Sequence, residues 1–406
     1  MVLNRRFYPL YAAAFFQGFV LWYAIEKLFM KSIGFSDSMI AVSAIVFSIV
    51  MLVLETPSGI LADRWSRKGV LILASFALLI TSTASGFSQG VLMYIIAGAF
   101  WGVFFALYSG TYDSVVYDTL IEETGNSSGF ERYYGKVKMF DSTALVTGSI
   151  LGGIVGEFLG LRASYFLTIP LVLLSMIALL RFREPQLHKS EIKSAIGHHI
   201  RQTIKAVIQK GKVFWIVFTM VFLGIGISLM FEFNQLWYIA LALPVIFFGP
   251  TNALIQSSIG TSGFIAIHIK GRQKKVIGLF VLGMLIYSLT LVFSRTTALT
   301  AAAQVLLLTS FMVLSILMSH QIHDTLSSKI RAGASSAIST FSTILFLPTA
   351  FLFGSLSETY SIFNASWVVV GATVLASIGL FKVLSYKPQA LAVQADDLLR
   401  VEEYKK

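Results

Sequence analysis

Apolar runs about as long as a membrane-crossing helix, each ended by a short polar turn, recur along the whole chain. A helix needs about 20 apolar residues to cross the hydrocarbon core of a bilayer, and the pattern predicts twelve such spans. They cover residues 7–30, 38–62, 69–87, 91–117, 134–159, 164–182, 213–240, 245–268, 275–294, 298–320, 332–356 and 361–384. The fifth run is diluted by polar and glycine residues, and between the seventh and eighth the apolar sequence pauses only at Leu243 and Pro244. One longer polar interval, 183–212, separates the first six runs from the last six. It carries Lys189, Lys193, Arg201, Lys205, Lys210 and Lys212, with Ile192, Ile196, Ile200, Ile204 and Ile208 every fourth residue. That spacing puts the isoleucines on one helical stripe, predicting an amphipathic helix that lies along the membrane surface and meets anionic lipid rather than nucleic acid or a calmodulin-like partner. The predicted organisation is all-α and membrane-embedded: a six-helix bundle over 1–182, the linker 183–212, a second six-helix bundle over 213–387 and a tail over 388–406.

Composition agrees with the pattern and removes several functions. Hydrophobic residues make up 56% of the chain and charged ones 13%, with a mean hydropathy of +0.78, against roughly 45–50% apolar and 25% charged in soluble domains. Cysteine is absent, so disulfides and thiolate chemistry are excluded. The histidines do not gather into a metal-ligand spacing, so neither a metal nor a cofactor is expected. No GxxxxGKS segment occurs, which argues against direct ATP drive. A net charge of +11 could suggest nucleic acid, but the charge follows topology. With both termini cytoplasmic, all 31 Lys and Arg except Lys27, Lys31, Arg162 and Arg295 fall on the cytoplasmic side, the asymmetry of a multi-pass protein of the plasma membrane. Arg5 and Arg6 resemble the start of a signal peptide, but the run behind them is too long and lacks a small-residue cleavage site, so it is read as a permanent span.

The densest polar knot lies between the second and third runs, in the sequence ETPSGILADRWSRK from Glu55 to Lys68. Asp63, Arg64, Arg67 and Lys68 cannot stay in hydrocarbon, where each charge costs about 2.5–3.5 kcal/mol, so the knot marks a bilayer surface. Gly59 is small enough to let a neighbouring helix approach. Asp63 at one helix end and the bases one turn on can pair with each other and with a neighbouring helix in one conformation and release in another. Gly59, Leu61, Asp63, Arg64, Arg67 and Lys68 resemble the GxLaDrxGrk pattern between the second and third helices of the major facilitator superfamily of transporters, with Ser66 in place of the second glycine. The resemblance implies twelve helices in two pseudo-symmetric six-helix bundles, a carrier that alternates access and works as a monomer, and a latch made of these residues with Asp118. An internal echo agrees: SGILADRWSRK from Ser58 reappears as SGFIAIHIKGRQKK from Ser262, without the acid, and the same offset carries the first span onto the seventh. RFREP from Arg181 is similar to the family's exit from the sixth helix, and Arg331, Ala332 and Ser335 to its RxxxS opening of the eleventh. Gly148, Gly152, Gly156 and Gly160 resemble the glycine-rich motif of proton-coupled exporters, although that motif's proline is missing. The arginine the family often carries in its fourth helix also has no counterpart, and Tyr94 stands near its place.

Ionisable residues inside the spans are functional candidates because the membrane makes them costly. Asp141, Glu232, Glu55 and Asp113 are the candidates for proton coupling, since a carboxyl in a partly desolvated cavity can load and release a proton as access alternates. Each has a plainer reading. Glu26 and Lys27 either serve the pocket or reach the outer surface, Lys27 by snorkelling; Glu55 either titrates or braces helix packing. Phe15, Phe19, Trp22 and Glu26 fall on one face of the first span if it is a continuous helix, with Gln17 and Tyr23 near; the seventh span offers Asn234, Gln235, Trp237 and Tyr238. From these, Gln17, Trp22, Glu26, Asn234, Gln235 and Trp237 are the candidate substrate-cavity residues, although an aromatic stripe also serves packing. A greasy cavity with few polar groups suits hydrophobic or amphipathic small molecules better than sugars or phosphates. The predicted function is secondary active transport, exporting such a molecule in exchange for protons, with membrane lipids as surroundings. An importer of a nutrient or lipid-like solute, proton-coupled or facilitative, is the alternative. A membrane enzyme would need a catalytic constellation at one depth, and none is visible; a non-transporting sensor would usually append a soluble domain, and both termini here are short.

Overall fold

The computed structural model describes residues 2–186, 211–269, 273–325 and 328–386, and within these the side chains at 2–4, 273–274, 323–325 and 328–334 are left aside. Twelve spans follow in chain order. The first consists of Val2–Gly18, a 3-10 turn Leu21–Ile25 and Glu26–Ser32; the second is Asp37–Arg64 and the third Arg67–Phe87. The fourth is Val91–Tyr108 continued by Thr111–Thr124, the fifth Phe130–Phe158 and the sixth Leu161–Arg181. Then come Lys212–Ala240, Phe248–His268, Gln273–Phe293, Thr297–Thr325, Ser328–Thr359 and Ile362–Ser385. Eleven of the spans are long and apolar enough to cross a membrane. The remaining one, Phe248–His268, is lowered in hydropathy by Thr251, Asn252, Gln256, Ser258 and Ser262, and it packs against the fifth and tenth spans, where protein rather than lipid meets much of that polarity.

Local chemistry sets the ends of these helices. Ser36, Ser66 and Ser361 each accept a hydrogen bond from the backbone N–H three residues on, capping the second, third and twelfth spans, each cap contributing about 1 kcal/mol. Two spans expected to be continuous are broken. The fourth kinks where Gly110 takes φ +75°, a conformation that suits glycine, and its helix then runs on to Thr124, beyond the expected end at 117. The first span loses its helix after Gly18.

The first six spans pack mainly among themselves, as do the last six. The two groups meet where the fifth span lies on the eighth, the second on the eleventh, and the outer segment of the first on the seventh. One large apolar core runs through both groups. A smaller one, built on Phe7, Leu10, Tyr112, Val137 and Leu179, fills the first group near the membrane face that carries the chain termini. Residues 187–210 of the predicted amphipathic linker and the tail 388–406 lie outside the described residues.

Candidate functional site

The break in the first span organises the middle of the molecule. Backbone groups freed inside a membrane must find protein partners. Leu21 N–H donates to the Thr168 hydroxyl at 3.2 Å, and Val20 N–H turns back to the Gly18 carbonyl at 2.9 Å. The fifth span accommodates the irregular backbone with its glycine stripe. A Cβ at Gly152 would stand 1.9 Å from the Leu21 carbonyl oxygen, and at Gly148 it would meet Phe19 and Val20 at 3.4 Å. The other side of the same helix is notched toward the second group, where a Cβ on Gly153 would meet Gly249 at 2.6 Å. The single face on which Phe15, Phe19, Trp22 and Glu26 were expected is therefore interrupted, because the helix phase is reset after Gly18. Asp141, half-buried in the fifth span, presses its carboxylate and carbonyl against Gly18, where an added Cβ would meet Oδ1 at 2.8 Å.

Beyond the break, the outer segment of the first span presents a buried ion cluster. Lys27 Nζ lies 2.9 Å from Glu26 Oε2 and 3.4 Å from Glu232 Oε2 of the seventh span. Lys27 is only 5% exposed, so it does not snorkel to the surface; it is turned inward across the junction of the two groups. Gln235 straps the same junction, accepting from Lys27 N–H and donating to the Tyr23 carbonyl, both at 2.9 Å. Behind the cluster, the Tyr94 hydroxyl donates to Glu26 Oε1 at 3.3 Å and shares a 2.8 Å hydrogen bond with Tyr165. Tyr165 stacks on Trp22, rings 5.2 Å apart and nearly parallel. One ammonium thus faces two carboxylates in a site nearly closed to solvent.

The two groups are joined at the face opposite the termini by two matching contacts. Glu358, at the end of the eleventh span, accepts from Ser38 N–H at 3.0 Å in the first turn of the second. Glu157, at the end of the fifth, accepts from Ile246 N–H at 3.2 Å at the entry to the eighth. Each is a carboxylate on the exposed amides of a helix start, the arrangement a helix N-terminus favours. Asp37 adds a 2.5 Å bond from the Ser357 hydroxyl and a 2.6 Å pair with Lys31, and Ser149 bonds Asn252 at 3.0 Å. This face is shut.

At the face bearing the termini the second span stands clear of the other group. Glu55, Thr56, Pro57 and Gly59 are exposed, and among the described residues nothing lies within 4 Å of a Cβ built on Gly59, so they show no helix approach at the position where one was expected. The polar turn is stitched within the first group instead. Arg67 pairs with Asp118 and with Asp63 at 3.2 Å, and donates to the Ser114 carbonyl at 3.0 Å. Lys68 donates to the Leu180 and Phe182 carbonyls at 2.8 Å, while Glu184 accepts from Ser66 and from Lys68 N–H. Arg64 is exposed. Asp113 accepts from Ser114 N–H in the first turn after the Gly110 kink.

Several candidate cavity residues are packed inside one group. Gln17 is bonded to Ser75 at 2.7 Å and Tyr112 at 2.5 Å, tying the first span to the third and fourth. Trp22 donates to Ser82 at 3.1 Å, Trp237 to Ser366 at 3.2 Å, and the Asn234 amide to the Met230 and Phe231 carbonyls of its own helix. Glu26 and Gln235 reach the junction. The side chains of Arg331 and Ala332 lie outside the described residues. Tyr165, Asn252, Glu157 and Glu358 join the site without a local signal in the sequence, because the partner of each is remote in the chain.

A family model described as Major Facilitator Superfamily matches residues 7–345. The MFS-type transporter YxaM of Bacillus subtilis is 25% identical over 201 residues, a stretch that covers 47% of this chain and 47% of that protein, less than half its length. The multidrug resistance protein MdtG of Proteus mirabilis is 24% identical over 282 residues, covering 67% of this chain and 68% of that one. Among solved structures, the nucleoside transporter NupG superposes with a TM-score of 0.76 at 15% identity, covering 95% of this chain and all of that one.

Proposed function

The chain belongs to the Major Facilitator Superfamily of transporters, and from that premise we propose that it exports a hydrophobic or amphipathic small molecule in exchange for protons, in the plasma membrane with both termini cytoplasmic. The observation that carries the reading is the buried cluster of Glu26, Lys27 and Glu232. It holds one more carboxylate than ammonium, and it spans the junction of the two groups on the side of the closed face.

An uncompensated buried charge costs several kcal/mol. A proton on Glu232 removes both that excess and the ionic bond to Lys27. In the state described here Glu232 is paired and the opposite face is shut, so its proton has left toward the termini face. The substrate then enters from that face and the groups rock. Glu232, released from Lys27, takes a proton from outside, and its loaded form returns the carrier. Asp141, set against the break in the first span, is the second proton site, since a change of charge there acts on the point at which the span bends. The apolar lining and the multidrug relative support a lipophilic cargo. The positive-inside distribution of Lys and Arg supports the orientation.

The test is reconstitution into liposomes with an imposed pH gradient and a panel of dyes, lipids and nutrients. Wild type should drive counterflow of a lipophilic member, and Glu232→Gln and Asp141→Asn should each abolish it. If both variants counterflow like wild type, coupling through these carboxylates is wrong.

A further inference from the structure

Between the first and fifth spans, on the half of the membrane nearer the termini, lies a recess of about 500 Å³ whose wall is aromatic and whose mouth is polar. Phe15, Phe16, Met139 and Phe140 line its deeper part. Tyr8, Tyr11 and Lys136 lie one to two turns nearer the termini face. Tyr11 is 5% exposed and stacks on Phe140 with ring centroids 5.5 Å apart, yet its hydroxyl has no hydrogen-bond partner among the described residues. A buried hydroxyl left unpaired costs about 1–3 kcal/mol, a penalty that a bound acceptor would remove. Lys136 has no carboxylate within ion-pair distance among the described residues; its ammonium lies over the Tyr133 ring, 5.9 Å from the centroid. No carboxylate lines the recess.

We propose that this recess is the carrier's loading site and that its ligand is an amphipathic monoanion, with a carboxylate, sulfonate or phosphate head on Lys136 and the Tyr11 hydroxyl and an apolar body against Phe15, Phe16 and Phe140. The proposal deepens the transporter reading and rests on it. A cation and a hydroxyl donor with no competing acceptor select an acceptor that carries negative charge, while the aromatic wall recognises shape and area rather than hydrogen bonds. The recess volume lies within the range of small-molecule pockets. Tyr8 and Lys136 stand on the termini side of Phe15, Phe16 and Phe140, so an amphipathic molecule entering from that side keeps its charged head outward and its body inward.

Three probes with one apolar body test the assignment: pyrenebutyrate, pyrenebutanol and pyrenebutylamine, titrated against the whole protein in phosphatidylcholine nanodiscs with quenching of the native tryptophans as the readout. The anion should bind at least tenfold more tightly than the other two. Lys136→Glu should abolish that preference and Lys136→Arg restore it, while Tyr11→Phe should weaken the anion several-fold and leave the amine unchanged. Equal binding of all three probes, or an anion affinity untouched by Lys136→Glu, overturns the proposal. So does loss of pyrenebutyrate binding when phosphatidylglycerol replaces part of the phosphatidylcholine, which identifies a lipid-headgroup site instead. A wild-type carrier that moves solutes on a proton gradient but ignores probe charge leaves the exchange mechanism standing and removes this ligand class. One that selects the anion through Lys136 but ignores the pH gradient does the reverse.

Discussion

Gly152 sets the tightest tolerance among the described glycines. The Leu21 carbonyl occupies the space a side chain would need, and any shift there moves the irregular stretch that aims Glu26 and Lys27. Gly152→Val should destabilise the protein by about 1–3 kcal/mol, the usual cost of overpacking. Gly148→Ala, whose Cβ would make near-ordinary contacts, and Gly260→Ala, which faces open space, should be tolerated. Thermal unfolding in detergent checks this series, and a Gly152→Val melting temperature equal to that of Gly260→Ala would contradict it. At this scale the sequence shows which residues are costly but not what they do. Glu26 and Glu232 are conspicuous as ionisable groups in apolar runs. That Lys27 turns inward rather than outward is set by a carboxylate on the seventh span, and no local pattern encodes that choice.

Two kinds of element junction oppose each other across the membrane. On the closed face, Glu157 and Glu358 each cap the start of a helix in the other group, at equivalent ends of the fifth and eleventh spans. On the parted face, Asp63, Arg67 and Asp118 hold the turn within the first group. Both caps join the two groups across the closed face, so Glu157→Gln with Glu358→Gln should shift the population away from the present state. Asp63→Asn should shift it the other way, leaving the protein folded in the membrane but slow in transport, which is the outcome a latch built on Asp63 predicts. Alkylation of single cysteines placed in each mouth reads both shifts, and changes of the same sign would contradict the opposition. The spans themselves are legible in hydropathy because desolvation of the backbone forces each apolar run to be a helix. The interruptions at Gly18 and Ser109–Gly110 are not, since glycine is common in membrane helices and only a neighbour supplying the missing partner, as Thr168 does for Leu21, turns one into a break. The paired helix caps are invisible for a similar reason: a glutamate at a helix end is ordinary until the far group is placed beside it.

Among the described residues, the two six-helix groups are in contact at one face and apart at the other. The polar contacts that close the joined face are, among the described residues, a few hydrogen bonds and one ionic cluster, beside the Gly153–Gly249 notch, and such polar bonds can be exchanged for a matching set on the other face at small net cost. The absence of cysteine makes the motion directly measurable. Spin labels at Asn126 and His268 report the termini face, and labels at Gln89 and Thr296 report the opposite one; all four native side chains are exposed. Distances within each pair, taken in nanodiscs through a pH titration and with an amphipathic ligand, should change in opposite directions, the first pair closing as the second opens, with Glu232→Gln displaced along the same coordinate without acid. Distances that stay fixed in both pairs, or that lengthen together, would contradict a carrier whose two groups rock about the Glu26–Lys27–Glu232 cluster.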